Sequence, residues 1–202
     1  MHVFICDFLL DIVQNSFEAE ATHVTLTLDE RDKMLYCSVA DDGKGMSGKV
    51  QKRVLDPFYT DGIKHKERKV GLGLPFLYQT VTETGGTFNL ESQEGKGTVV
   101  RFSFDLDNMD TPPFGDLPGT LLVLFNHPAA KEFVVERSLS TVKGSGAYEV
   151  SRSDLIEALG NLTDSGSLVV LRQFLQEKEG ELVRYAVDHP LEPLERKEET
   201  RI

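Results

Sequence analysis

The sequence predicts an α/β fold: a two-layer sandwich around a mixed sheet, followed by a small α+β module. Three observations carry this expectation. An amphipathic helical stripe opens the chain, two pairs of strand-like runs follow with helical segments between them, and a proline-rich stretch near position 112 separates this region from a second set of shorter elements.

Between Asp7 and Ala19, residues Leu9, Ile12, Val13, Ser16 and Phe17 recur at the spacing of one buried helical face, and Asp7 is placed to cap the helix. Thr22 to Leu28 and Met34 to Ala40 are alternating or β-branched runs around the polar turn Asp29 to Lys33, which predicts a hairpin. A glycine-rich loop follows, then a short helix over Lys49 to Leu55, the sequence Asp56-Pro57-Phe58, and a stretch from Thr60 to Val70 without periodicity that reads as a mobile loop. A helix from Leu74 puts Leu74, Leu77, Tyr78 and Val81 on one face and stops at Gly85-Gly86. Thr87 to Ser92 and Thr98 to Leu106 then flank the Glu94-Gly95-Lys96-Gly97 turn as a second hairpin.

Residues 107–118, with Pro112, Pro113 and Pro118, read as a linker between a first domain over 1–106 and a module over 119–188. In that module Thr120 to Phe125 is expected to be a strand, Pro128 to Leu139 a helix or a strand, and Ala147 to Val150 a strand. Ser153 to Leu159 and Ser167 to Glu179 read as capped helices. The charged tail 189–202, with Pro190 and Pro193, is expected to be disordered.

Composition narrows the function classes. A net charge of −11 argues against a dedicated nucleic-acid binder, which needs a basic footprint on phosphates. No apolar run reaches the roughly 18 residues of a membrane helix, and no signal peptide opens the chain, so a cytoplasmic protein is expected. Cys6 and Cys37 lie in apolar segments without CxxC spacing and read as buried thiols.

Gly43-Lys44-Gly45-Met46-Ser47-Gly48 spells GxGxxG after a strand and before a helix, the context of a dinucleotide fingerprint. The same stretch approaches a Walker A loop, but Val50 stands where a Ser or Thr hydroxyl should meet magnesium. Charge favours a third reading. A pyrophosphate on this loop would lie beside Asp41 and Asp42, whereas the exocyclic amine of adenine is a donor that an aspartate accepts, and Gly43 and Gly45 let the backbone approach a flat ring. Asp and Gly are also ordinary turn residues, so the other motifs decide.

Taken in order, the run from Asp11-Ile12-Val13-Gln14-Asn15 through Ser16 to Thr22, then Asp41-Asp42-Gly43-Lys44-Gly45-Met46, Asp56-Pro57-Phe58-Tyr59-Thr60, Gly71-Leu72-Gly73-Leu74 and Gly95-Lys96-Gly97-Thr98 resemble the boxes of the gyrase, chaperone, histidine-kinase and MutL (GHKL) ATPases over residues 1–106. The resemblance implies a Bergerat-type fold, a mixed sheet covered by helices on one face. It also implies ATP and Mg2+ as cofactors. Asn15, Asp41, Gly43, Gly45, Met46, Gly71, Leu72, Gly73 and Thr98 would bind ATP, Asn15 would supply the magnesium ligand, and Asp11 would stand where hydrolysing members place a glutamate as general base. Elementary chemistry agrees: Asp11 and Asn15 are one helical turn apart on the face opposite the apolar stripe, an amide oxygen suits magnesium, and Gly71 and Gly73 precede a helix whose dipole favours phosphate. The basic run Lys64 to Lys69 falls where a lid would close over a triphosphate. Asp11 is one methylene shorter than the family's glutamate.

No phosphoacceptor histidine on a dimerising helix is visible, so a self-phosphorylating histidine kinase is not expected. Hydrolysis of Mg-ATP, or transfer of its γ-phosphate to a protein partner, is the leading expectation. An ATP-gated binding module with little turnover is the alternative, and a dinucleotide-dependent oxidoreductase the remote one. The apolar runs Leu121 to Phe125 and Leu168 to Leu175 suit a core or a homodimer face equally.

Overall fold

In the computed structural model, which describes residues 3–51, 53–55 and 73–188, helix α1 (Ile5–Glu18) buries Ile5, Phe8, Leu9, Ile12, Val13 and Phe17, the stripe read from the sequence extended at its N-terminal end. Asp7 is therefore not the residue that precedes the helix. It is the third helical residue, and its Oδ2 accepts from the amides of Val3 (2.8 Å) and Phe4 (3.0 Å), a carboxylate in the positive first turn reaching back to the entering chain.

Strands β1 (His23–Arg31) and β2 (Met34–Asp41) form the first hairpin. Its turn is two residues rather than five. Asp32 and Lys33 both take positive φ, and Asp29 to Arg31 stay in the strand because Asp29 meets Ser138, Glu30 meets Arg137 and Arg31 lies over the Tyr36 ring, each on a neighbouring strand. Helix α2 (Gly48–Gln51) is a single turn, shorter than expected. Helix α3 (Gly73–Glu83) buries Leu77 and Val81 but leaves Tyr78 exposed, and ends at Gly85 with φ 77°. Strands β3 (Phe88–Gln93) and β4 (Gly97–Asp105) complete the second hairpin. The Asp56 to Thr60 segment, the loop to Val70, Gly71, Leu72 and the tail from His189 lie outside the described residues.

Beyond the prolines the chain returns to the same sheet. The segment expected as a strand over Thr120 to Phe125 is helix α4 (Leu117–Phe125): Asp116 caps it by accepting from Gly119 N at 3.0 Å, Pro118 sits in its first turn, and Leu117, Leu121 and Leu124 share one helical face. The helix-or-strand ambiguity over Pro128 to Leu139 resolves as strand β5 (Glu132–Thr141), which points Phe133, Val135, Arg137 and Leu139 inward in alternation. Strand β6 (Gly144–Ser151), helix α5 (Arg152–Leu159) and helix α6 (Ser165–Asp188) follow, the last longer than the sequence suggested.

The strand order is β3-β4-β2-β1-β5-β6, with β5 parallel to β1 from His23↔Glu132 to Arg31↔Ser140 and the other pairs antiparallel. One face presents Val24, Leu26, Leu28, Leu35, Val39, Val100, Phe102, Phe104, Phe133 and Val135 to the helices, while Thr25, Thr27, Tyr36, Ser38, Arg101 and Glu136 line the opposite, open face. This is the mixed sheet with helices on one side that the sequence predicts. The segment near Pro112 crosses within a continuous core, since residues on both sides of it belong to one buried cluster. Leu121, Phe125, Leu171 and Leu175 lie in that core, as do the free thiols of Cys6 and Cys37; burial pushes the Cys6 thiol up to about 12.

Candidate nucleotide site

The site is built on the last residue of β2. Asp41 ends the strand half-buried beside α1, and three donors from separate segments converge on its carboxylate. Oδ1 accepts from Gly43 N at 2.9 Å and Thr98 N at 3.2 Å, and Oδ2 accepts from the hydroxyl of Ser16 at 2.7 Å. Strand β2, the glycine loop, β4 and α1 thus fix one acceptor in one orientation.

Asp42 does different work. It accepts from Thr22 N at 2.6 Å, from the Thr22 hydroxyl and from His23 N at 2.9 Å. The Thr22 hydroxyl and then the His23 amide hold its carboxyl at about 2, below the ordinary carboxylate range. It ties the α1–β1 turn to the end of β2 and faces away from Asp41.

The glycine loop lies on the β3–β4 hairpin, with no room for a side chain at Gly45 or at the facing Gly97. Gly45 has φ 61°, and a Cβ on it would stand 2.0 Å from the Gln93 carbonyl oxygen; Gly97 has φ 110°, and a Cβ there would stand 1.9 Å from the Asp41 carbonyl oxygen. Gly95 N donates to Lys44 O at 2.8 Å and Met46 N to the Ser92 hydroxyl at 2.8 Å. Ser92 in turn donates to Gly97 O at 3.1 Å and lies 2.9 Å from the Thr98 hydroxyl. Met46 and Thr98, named from the sequence, are therefore joined through a serine that sequence reasoning passed over. Ser16 was also missed, although a hydroxyl on an otherwise apolar helical stripe is a readable signal.

On α1, Asp11 is half-buried and Asn15 exposed. The first residue of α3 abuts the former: a Cβ on Gly73 would stand 3.1 Å from Asp11 Oδ2. The start of the second helix thus meets the first helix at Asp11. Gly71 and Leu72 lie outside the described residues, as does the basic run from Lys64 to Lys69.

This geometry also disposes of the dinucleotide reading. Strand β2 has antiparallel neighbours on both sides, β1 and β4, so no βαβ unit surrounds the GxGxxG stretch. A fixed carboxylate beside closely approached backbone suits a flat ring bearing an amine instead.

A family model described as histidine kinase-, DNA gyrase B- and HSP90-like ATPase matches residues 3–108. The sensor histidine kinase WalK of Bacillus subtilis (strain 168) is 37% identical over 106 residues, which cover 49% of this chain and 17% of WalK. Sporulation kinase E of the same organism is 38% identical over 98 residues, 46% of this chain and 13% of that protein. Among solved structures, the nucleotide-free catalytic domain of the histidine kinase ThkA is 26% identical with a TM-score of 0.39, covering 49% of this chain and 64% of that one. Full-length ShkA in complex with AMPPNP is 26% identical with a TM-score of 0.40, covering 48% of this chain and 20% of that one. The chain thus spans only a small part of the curated relatives it matches. The matched stretch runs from the first turn of α1 to just past β4 and contains each residue that meets the Asp41 carboxylate; the chain belongs to the histidine kinase-, DNA gyrase B- and HSP90-like ATPase family, a family of ATP-binding domains.

Proposed function

We propose that this chain binds Mg-ATP between α1, the loop after β2 and the start of α3, and that it hydrolyses the nucleotide or passes its γ-phosphate to a partner protein. The observation that supports this reading best is the Asp41 carboxylate held by Ser16, Gly43 and Thr98. An acceptor so fixed takes the exocyclic amine of adenine, while Gly43, Gly45 and Met46 provide a close backbone surface for the ring. Gly73 opens α3 with a helix start suited to phosphate, and the motif reading assigns Gly71 and Leu72, outside the described residues, to the same task.

The exposed Asn15 amide and the neighbouring Asp11 are hard oxygen donors, the set magnesium accepts alongside waters and phosphate oxygens. Asn15 would hold the ion, whose charge offsets that of the phosphates when bound. Asp11, one turn away, orients or deprotonates the attacking hydroxyl or water. The partner supplies that hydroxyl or a histidine nitrogen when transfer replaces hydrolysis. The acidic net charge disfavours nucleic acid as partner, and among the described residues no helix is long and apolar enough to cross a membrane.

A second reading, an ATP-gated binding module with little turnover, is favoured by Asp11 itself. Its short side chain lies against Gly73, which limits its reach toward a nucleophile. Calorimetric titration with a non-hydrolysable ATP analogue, with and without magnesium, tests binding first. Magnesium-dependent binding that Asp41→Asn weakens by at least about tenfold is expected, and a wild type that binds nothing sinks the proposal. Turnover by wild type but not by Asp11→Asn then separates the enzyme from the gated module.

A further inference from the structure

Helix α1 carries Asp11, Asn15 and Ser16, yet neither of its ends is held by the family-matched region alone. At the N-terminal end no side chain of the preceding residue caps the helix. The first free amides are taken by carbonyls of the proline-rich segment instead: Ile5 N donates to Pro113 O and Cys6 N to Phe114 O, both at 3.0 Å. Such amides otherwise need a side chain or water. Gly115 lies directly against this end; its φ is 95°, and a Cβ on it would stand 2.9 Å from Phe4 Cβ and 3.1 Å from Cys6 Cβ. The Thr120 hydroxyl of α4 lies beside the Cys6 thiol, and Leu117, Leu121 and Leu124 of the same helix are buried in the common core.

The C-terminal end of the helix is held from the same half of the chain. The Phe17 ring stacks on His127 at 5.1 Å and meets Phe133 of β5 edge-on at 5.6 Å. Asp11, Asn15 and Ser16 therefore sit between two anchor points, both supplied by residues 113–133, which lie outside the matched stretch.

Building on the nucleotide-site reading above, we propose that residues 113–133 are a positioning element of that site: they fix the placement of α1, and a change in their packing changes nucleotide affinity without any contact to the nucleotide. Displacement of a binding group by about 1 Å costs on the order of a hundredfold, and packing changes remote from a ligand shift affinity by lesser factors. The function of the second half of the chain then includes setting the nucleotide affinity of the first.

The test compares the full chain with three full-length variants by calorimetric titration with a non-hydrolysable ATP analogue plus magnesium, with urea unfolding of each in parallel. Gly115→Ala forces the segment off the end of α1. Thr120→Val replaces the hydroxyl beside the Cys6 thiol with a methyl group, without backbone strain. Gly160→Ala is the control: Gly160 has φ 73° with open space around it, so alanine there introduces backbone strain at the end of α5, which packs on β5 and β6. The proposal expects Gly115→Ala to weaken binding about tenfold, Thr120→Val to weaken it about threefold, and Gly160→Ala to stay within about twofold of wild type even where its loss of stability is comparable. Wild-type affinity in both Gly115→Ala and Thr120→Val overturns it, as does an equal loss in Gly160→Ala. If Gly115→Ala does not fold, Thr120→Val against Gly160→Ala decides. A wild type that fails to bind ends the site reading and this proposal together, and is told apart because it shows before any variant is compared.

Discussion

Ser16, only 4% exposed, donates its hydroxyl to Asp41 Oδ2 at 2.7 Å and so joins the last turn of the first helix to the end of the second strand. It also lies 3.4 Å from the Ile12 carbonyl, but a hydroxyl has one proton and the shorter, charge-assisted bond takes it. Ser16→Ala should cost about 1–2 kcal/mol of folding stability by urea denaturation. It should also raise the dissociation constant of an ATP analogue about tenfold, because the carboxylate keeps only two of its three donors. An unchanged constant would mean that Gly43 and Thr98 suffice to orient Asp41.

Asp42 makes a prediction about acid. Its folded value lies near 2 against an ordinary 3.8, so its contribution to stability is complete above about pH 4 and is lost as the pH falls through 2. Asp42→Asn keeps one acceptor oxygen for the Thr22 and His23 amides but removes the charge that strengthens those bonds and turns an amide N–H toward the Thr22 hydroxyl. The variant should melt below wild type at neutral pH, and the gap should narrow as the pH drops from about 4 toward 2. A gap that stays constant across that window would assign the loss to packing rather than to the charge. Because Asp42 is exposed, salt and solvent reduce the effect, and the comparison is cleanest at low ionic strength.

The β1–β2 turn is a third test. Asp32 and Lys33 hold φ of 51° and 64° in a two-residue connection, a geometry that Asp-Gly satisfies without the steric cost of a Cβ. Lys33→Gly removes a surface ion pair to Asp107, which is worth little, and should still raise stability by about 0.5–1 kcal/mol, or roughly 1–4 °C in melting temperature. A lower melting temperature would assign the Asp107 contact a larger role than surface pairs usually have.

Legibility in the sequence followed the range of the forces involved. The α1 stripe, both hairpins of the first half and the glycine loop are local signals, and the structure has them within a few residues. Asp41 and Thr98 were nameable because their boxes are contiguous, but the bond between them crosses the sheet, and Ser92, which links Thr98 to Met46, carries no motif of its own. Leu121-Leu122-Val123-Leu124-Phe125 looked like a strand because an unbroken apolar run has no period; burial against both α1 and α6, which only the tertiary fold supplies, makes it a helix. Asp116 and Pro118 were the local signs of that helix start. Strand β5 was ambiguous because Pro128 before Ala-Ala-Lys-Glu also reads as a helix start, and within the strand only its partners explain the inward Arg137.

Those partners set the last prediction. The Arg137 side chain is 4% exposed; Nη2 donates to Glu30 Oε2 at 2.7 Å, Nη1 to the Ser138 carbonyl at 2.8 Å, and Nε lies 3.6 Å from Glu179 Oε1. Tyr148 donates to the same Glu179 oxygen at 2.7 Å, and burial beside that carboxylate pushes its hydroxyl far up, so it remains a donor at any working pH. The cluster joins β1, before the proline-rich segment, to β5, β6 and α6 after it. Arg137→Ala leaves Glu30 and Glu179 without their common cation and should cost about 3–5 kcal/mol, much of it recovered when Glu179→Gln removes one stranded charge. Because the cation bridges both halves, urea unfolding of the wild type should show one transition, with loss of nucleotide binding and loss of helical circular dichroism at the same midpoint. Two separated transitions, the C-terminal helices melting apart from nucleotide binding, would instead make residues 119–188 an independent module and Arg137 a local contact within it.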